Sequence, residues 1–85
     1  METRVAIIGI IVENPESVSQ INDILHDVRD YVIGRMGIPY RERDISIISV
    51  VVDAPESLIN SVSGKLGMLE GVSAKITYSR LARNE

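Results

Sequence analysis

Two stretches of the chain are apolar at nearly every position. Val5–Val12 reads VAIIGIIV and Ile45–Val52 reads ISIISVVV. Continuous β-branched runs of this length predict strands at the centre of a sheet, with little polar surface on either side. A third stretch alternates instead. Val72, Ala74, Ile76 and Tyr78 interleave with Ser73, Lys75, Thr77 and Ser79, the pattern of a half-buried strand with one wet face. In the corresponding place earlier in the chain, Tyr31–Tyr40 puts Val32, Gly34, Met36, Ile38 and Tyr40 on one side.

Between these strands the apolar period changes from two to that of a helix. Val18, Ile21, Ile24, Leu25 and Val28 form one stripe, and Gln20, Asn22, Asp23, His26, Asp27 and Asp30 the opposite face. This predicts a helix from Pro15 to about Asp30, with Pro15 in the first turn and Asn14 as its cap. A second stripe of Leu58, Ile59, Val62 and Leu66 predicts a helix from Pro55 to about Leu66. Asp53 and Glu56 have the spacing of a capping box, and Gly67 is a natural stop. Gly64 and several serines make this second helix intrinsically weak, so it must depend on docking. Arg41-Glu42-Arg43-Asp44 is a charged turn between the second and third strands.

The two halves are copies of one pattern. Val5–Val18 aligns without gaps to Ile45–Leu58 at an offset of 40, with Ile7/Ile47, Ile8/Ile48, Val12/Val52 and the whole Pro15-Glu16-Ser17/Pro55-Glu56-Ser57 triplet identical. Residues 5–40 and 45–80 therefore form a pseudo-repeat within a single domain spanning 1–85. The order is strand–helix–strand twice over, two split βαβ units. This is the α+β, ferredoxin-like βαββαβ sandwich: a four-stranded antiparallel sheet with two helices on one face and the first and third strands central.

That fold sharpens the pattern. Helices cover one sheet face, so the other should be polar at alternate positions. The edge strands comply, with Ser73, Lys75, Thr77 and Arg35. The central strands do not. One register would expose Val5, Ile7, Ile11, Ile45, Ile47 and Val51; the other, Ala6, Ile8, Ile10, Val12, Ile48, Val50 and Val52. Either way an aliphatic patch remains, and patches of that kind mark interfaces. The expectation is a homo-oligomer, a dimer or tetramer, with closed symmetry.

Composition narrows the chemistry. In 85 residues there is no cysteine, Phe or Trp, and one histidine. Disulfides, thiolate metal sites and cysteine nucleophiles are excluded. The net charge of −3 is no nucleic-acid footprint, and Ile and Val stand where an RNA-recognition motif needs aromatic stackers. No segment has the length of a membrane span or the layout of a signal peptide, so a cytoplasmic protein is expected.

The polar residues are mostly explained by structure. His26 reads as a solvated histidine between Asp23 and Asp30 rather than a proton carrier or metal ligand. Glu13/Glu16 and Asp53/Glu56 suit helix N-termini better than acid–base work. Gly64-Lys-Leu-Gly67 lacks the spacing of a phosphate loop and reads as a helix end. An acylphosphatase-like arginine cradle is missing, since the first loop, Glu13-Asn14-Pro15-Glu16, is acidic. No catalytic residue, metal or cofactor emerges, so an enzyme is not expected. Gly34-Arg-Met-Gly-Ile-Pro-Tyr40 stays open. Its glycines fit either a close backbone or ligand approach, with Arg35 pairing an anion, or a bulged edge strand ended by Pro39.

The string Gly34-Arg-Met-Gly-Ile-Pro-Tyr40, with Asn22-Asp-Ile-Leu-His26, Gly64-Lys-Leu-Gly67 and Gly71-Val-Ser-Ala-Lys75, resembles the iron-only hydrogenase system regulator family over essentially the whole chain. The resemblance implies an ACT-like domain, related in fold to the C-terminal domain of nickel-responsive repressors, and an association with iron–iron hydrogenases or their maturation. The repressors' metal site does not transfer, since it needs several histidines and a cysteine. A counterpart of their DNA-binding arm is not expected, with the first strand starting by Arg4. ACT domains often bind amino acids at a glycine in the first strand–helix junction, where this chain has Pro15-Glu16. The combined expectation is an oligomeric regulatory or ligand-sensing domain, with Asn14, Ser17, Gly34, Arg35, Gly37 and Tyr40 as candidate ligand contacts. The alternative is an interaction module that docks on a hydrogenase or maturation partner without a ligand.

Overall fold

A computed structural model describes residues 2–80; the ends of the expected 1–85 domain, position 1 and positions 81–85, lie outside the described residues. The strands are β1 (Arg4–Val12), β2 (Val32–Tyr40), β3 (Ile45–Ala54) and β4 (Val72–Tyr78); the helices are α1 (Val18–Asp27) and α2 (Glu56–Gly67). They follow the expected βαββαβ order. The sheet order is β2-β3-β1-β4, every neighbouring pair is antiparallel, and the two most apolar strands are central.

The core lies between the sheet and the helices. From the sheet come Ala6, Ile8, Ile10 and Val12 of β1, Ile48, Val50, Val52 and Ala54 of β3, and Val72 of β4. Ile21, Leu25 and Val28 come from the α1 segment, and Ile59, Val62 and Leu66 from α2. These are the predicted helical stripes. Alternation on the strands decides the register: the set beginning at Ala6 faces the helices, and the set beginning at Val5 does not.

The helix ends differ in detail from the sequence expectation. The first helical segment is broken into three pieces: a 3-10 turn over Pro15–Ser17, α1 itself, and a second 3-10 turn over Arg29–Tyr31. Asn14 caps the first turn, its Oδ1 accepting from the Glu16 amide at 3.1 Å. Asp53 caps nothing. Strand β3 continues through Ala54, which is buried, and extended Pro55 stands at the N-cap of α2 without a side-chain bond. Gly67 ends α2, but no left-handed glycine is needed there; the positive-φ glycine is Gly71 (φ 69°), entering β4. Asp44 (φ 59°) makes the left-handed residue of the turn before β3, a conformation aspartate tolerates better than most.

Strand β2 also departs from simple alternation. Val32 pairs with Val52, and the next paired residue, Gly34, lies opposite Val51. The extra residue, Ile33, forms a bulge and is 63% exposed. Val32 therefore falls on the helix side, while Gly34, Met36, Ile38 and Tyr40 fall on the open side. Arg35 shifts with them. Opposite buried Val50, it stands in the helix-side register rather than among the polar positions of the open face.

Candidate functional site

The open sheet face carries a largely apolar surface over three of its four strands, interrupted at Ser49, between Gly9 and Met36, and at Asp53, opposite Val5. Val5, Ile7 and Ile11 project from β1, Ile47 from β3, and Met36, Ile38 and Tyr40 from β2, each 39–58% exposed. Four cross-strand pairs on this face are apolar on both sides: Ile7 opposite Val51, Ile11 opposite Ile47, Ile47 opposite Ile38, and Ile45 opposite Tyr40. The patch stops at β4, where Ser73, Lys75 and Thr77 stand opposite Ile11, Gly9 and Ile7. A patch about three strands wide and nine residues long measures roughly 14 by 30 Å before side-chain relief is counted.

Of the residues singled out in the sequence, Asn14 and Ser17 lie together at the C-terminal end of β1. Asn14 Nδ2 donates to Glu70 Oε1 at 3.0 Å, and the buried Ser17 hydroxyl donates to the Glu70 carbonyl at 2.7 Å. The Glu13 amide donates to the Gly71 carbonyl at 2.6 Å. A Cβ on Gly71 would fall 2.7 Å from that of Asn14. These contacts latch the β1–α1 junction to the loop before β4, using the polar groups that a ligand would otherwise need. Gly34 and Tyr40 stand on the open face; Tyr40 also borders a groove of about 140 Å³ with Pro15, Pro39 and Ile45. Arg35 and Gly37 are in the helix-side register of β2. The six thus fall in separate places, with only Asn14 and Ser17 in one cluster. Cβ atoms built on Gly34 or Gly37 would meet nothing within 4 Å, so neither glycine is demanded by contacts within the chain.

Sequence reasoning missed a cluster at the other end of β1. The Arg4 guanidinium stacks 4.4 Å from the centroid of the Tyr78 ring, donates from Nη2 to the Ser79 carbonyl at 2.8 Å, and approaches Glu56 Oε1 at 3.5 Å. Tyr78 donates its hydroxyl hydrogen to Asn60 Oδ1 at 2.9 Å. The Tyr78 phenol is pushed above its ordinary value, first by desolvation and then by the Glu56 carboxylate, with Arg4 opposing. Arg4 Nε is buried without a hydrogen-bond partner; stacking on the ring face is the interaction available to it. The cluster ties the start of β1 to α2 and β4. Its sequence signal was faint: one arginine just before an apolar run, in a chain with few aromatic rings.

A second groove, of about 430 Å³, opens between α1 and the edge strand β2. Asn22, His26, Arg29 and Arg35 border it, and Arg35 Nη2 donates to Asn22 Oδ1 at 2.6 Å. Gly64–Gly67 lies within α2 and forms no phosphate loop. Among the described residues no group of three or more His, Asp or Glu side chains is placed to hold a metal. Among the described residues no helix is long and apolar enough to cross a membrane.

Comparison with known proteins bears on the same architecture. The family model described as "TM1266-like: Iron-only hydrogenase system regulator, putative" matches residues 4–76. The solved structure of the uncharacterized protein TM1266 from Thermotoga maritima is 33% identical. That match covers 91% of this chain and 98% of that one, with a TM-score of 0.87. A formyltetrahydrofolate deformylase from Pseudomonas putida KT2440 superposes with a TM-score of 0.63 at 14% identity, over 86% of this chain and 28% of that enzyme. At that identity the likeness is one of fold alone. No curated protein matches the chain.

Proposed function

We propose that this chain, which belongs to the TM1266-like family of iron-only hydrogenase system regulators, works as a homo-oligomeric, ACT-like domain that assembles through its open sheet face and responds to a small molecule. The observation that carries the assembly is the apolar row of Val5, Ile7, Ile11, Met36, Ile38 and Ile47. With Tyr40, seven exposed large apolar side chains on one sheet face exceed what scattered surface hydrophobics explain. Burial at roughly 25 cal/mol per Å² gives such a surface a strong drive toward a partner of the same shape.

A second copy is the occupant that fits. The patch is flat, spans the sheet and is bordered by the polar row of β4, so two copies can bury it reciprocally with their polar borders toward solvent. Gly34 supports this reading. It lies on the open face beside the bulge, and its side of the strand is empty space within the chain. Glycine in a strand weakens it unless another backbone comes close. The regulatory role follows from the family, and the latch at Asn14, Ser17 and Glu70 leaves ligand recognition to a different part of the surface.

Sedimentation equilibrium at micromolar concentration tests the assembly. A mass at least twice the 9.4 kDa of the chain is expected. A persistent monomer would reject self-assembly and favour docking of the same face on a hydrogenase or maturation partner.

A further inference from the structure

We infer that the groove between α1 and β2 is a binding site for a small organic anion, one with a carboxylate or phosphate head and a compact apolar body. This site is built from the groove's own residues and does not depend on the assembly proposed above. The chain is acidic, with a net charge of −3, and Asp23, Asp27 and Asp30 lie in and just beyond α1. None of these carboxylates lines the groove. Its rim is instead Asn22, His26, Arg29 and Arg35, and its floor is Leu25, Val32 and Val50.

The two guanidiniums remain available. The one ion pair among the described residues is Arg4 with Glu56, so no carboxylate neutralises Arg29 or Arg35. Each arginine is nonetheless positioned. Arg35 is held by Asn22 at 2.6 Å, and Arg29 Nη1 donates to the His26 carbonyl at 2.9 Å. A guanidinium has five donor hydrogens, and these bonds occupy one on each. The remaining donors are the kind that take an oxyanion in a forked geometry. Gly37, the next helix-side position on β2 after Arg35, adds no side chain to close the space. A volume of about 430 Å³ lies in the range of small-molecule sites, and a few polar groups around an apolar floor are their usual lining. A head group held by Arg35 and Arg29 would leave its apolar part over Leu25 and Val32.

The test is amide chemical-shift titration of the full chain with phenyl phosphate and with benzoate, using phenol and inorganic phosphate as comparators. Saturable shifts at Leu25, Val32 and Arg35 are expected with either organic anion. Phenol should give none, and inorganic phosphate should bind more weakly than phenyl phosphate. Arg35→Gln should weaken binding by roughly ten- to hundredfold, the worth of one charge-assisted bond. Asn22→Asp keeps the side-chain shape and places a carboxylate on Arg35; it should weaken binding by a similar factor while leaving the melting temperature unchanged or raised. Lys75→Gln, on the opposite sheet face, should change nothing. Absence of saturable shifts, equal affinity in Arg35→Gln, or an equal loss in Lys75→Gln would overturn the site. Equal affinity for inorganic and phenyl phosphate would overturn the organic part of the assignment.

Discussion

On the two central strands, opposite faces of the sheet are built from mostly aliphatic side chains and end in opposite environments. On β1, Ala6, Ile8, Ile10 and Val12 are at most 2% exposed, while Ile7 and Ile11, their immediate neighbours, are 45% and 44% exposed. On β3, Val50 is fully buried and Ile47 is 39% exposed. Hydrophobicity therefore does not distinguish the faces; what covers them does. α1 and α2 cover the central strands on one face and leave the groove along the edge strand β2. The other has the composition of a core without the second layer, which a further copy of the chain would provide.

Substitutions can separate the two faces. The largest effect is expected at Ile10. Ile10→Ala opens a cavity in the fully buried layer and should cost about 2–5 kcal/mol in denaturant unfolding. Ile7→Ala, one turn of the pleat away and on the open side, should cost far less in a dissociated monomer. Equal losses at both sites, measured at low protein concentration, would mean that the open face is part of the monomer's own core.

Next is the latch between the two halves. Gly71→Ala combines a positive φ with a Cβ contact of 2.7 Å to Asn14, and a loss of about 1–3 kcal/mol is expected. Combining it with Asn14→Gly should relieve only the side-chain part of the clash, because the Asn14 backbone nitrogen lies 2.9 Å from the same position; a double-mutant cycle reads that partial coupling. The repeat offers a smaller, paired comparison. Ser17 and Ser57 are equivalent in sequence, but Ser17 is buried and donates to Glu70 while Ser57 is exposed. Ser17→Ala should cost about 1 kcal/mol, and Ser57→Ala should be near neutral by thermal unfolding. The smallest stability change is expected at Gly34. Its Cβ position is free and its φ is not left-handed, so Gly34→Ala should leave the monomer unchanged or stabilise it by about 0.5 kcal/mol. If a second backbone approaches there, the same change weakens self-association.

Much of this architecture was legible in the chain. Period two against the helical period separated strands from helices, and the offset of 40 aligned the halves. The continuous Ile/Val runs identified β1 and β3 as central. The same continuity hid the register, because Val5 and Ala6 or Ile47 and Ile48 are interchangeable by hydrophobicity alone. Register emerged from the helices, which dock on one set and leave the other.

The bulge at Ile33 was invisible for a related reason. An extra residue in an edge strand changes no local pattern, yet it moved Val32 to one face and Gly34–Tyr40 to the opposite phase. Arg35 was singled out from its glycine-rich surroundings, but the partner that positions it, Asn22, lies on another element and has no sequence signal linking it to the strand. Asn14 and Ser17 stand at the first strand–helix junction; their partner is Glu70, more than fifty residues away. The Arg4–Tyr78 stacking likewise joins opposite ends of the repeat. Local pattern reports which elements form, and long-range polar pairing is settled only when those elements meet.

The central claim, that the open face is a self-association surface, is tested most directly by the double substitution Ile7→Glu and Ile47→Glu. Both residues are on that face, in neighbouring strands, and neither contributes to the buried layer. Sedimentation equilibrium paired with far-ultraviolet circular dichroism reads mass and fold together. The prediction is a folded monomer from a wild type that sediments as an oligomer. An oligomer of unchanged mass, with the fold intact, would contradict it.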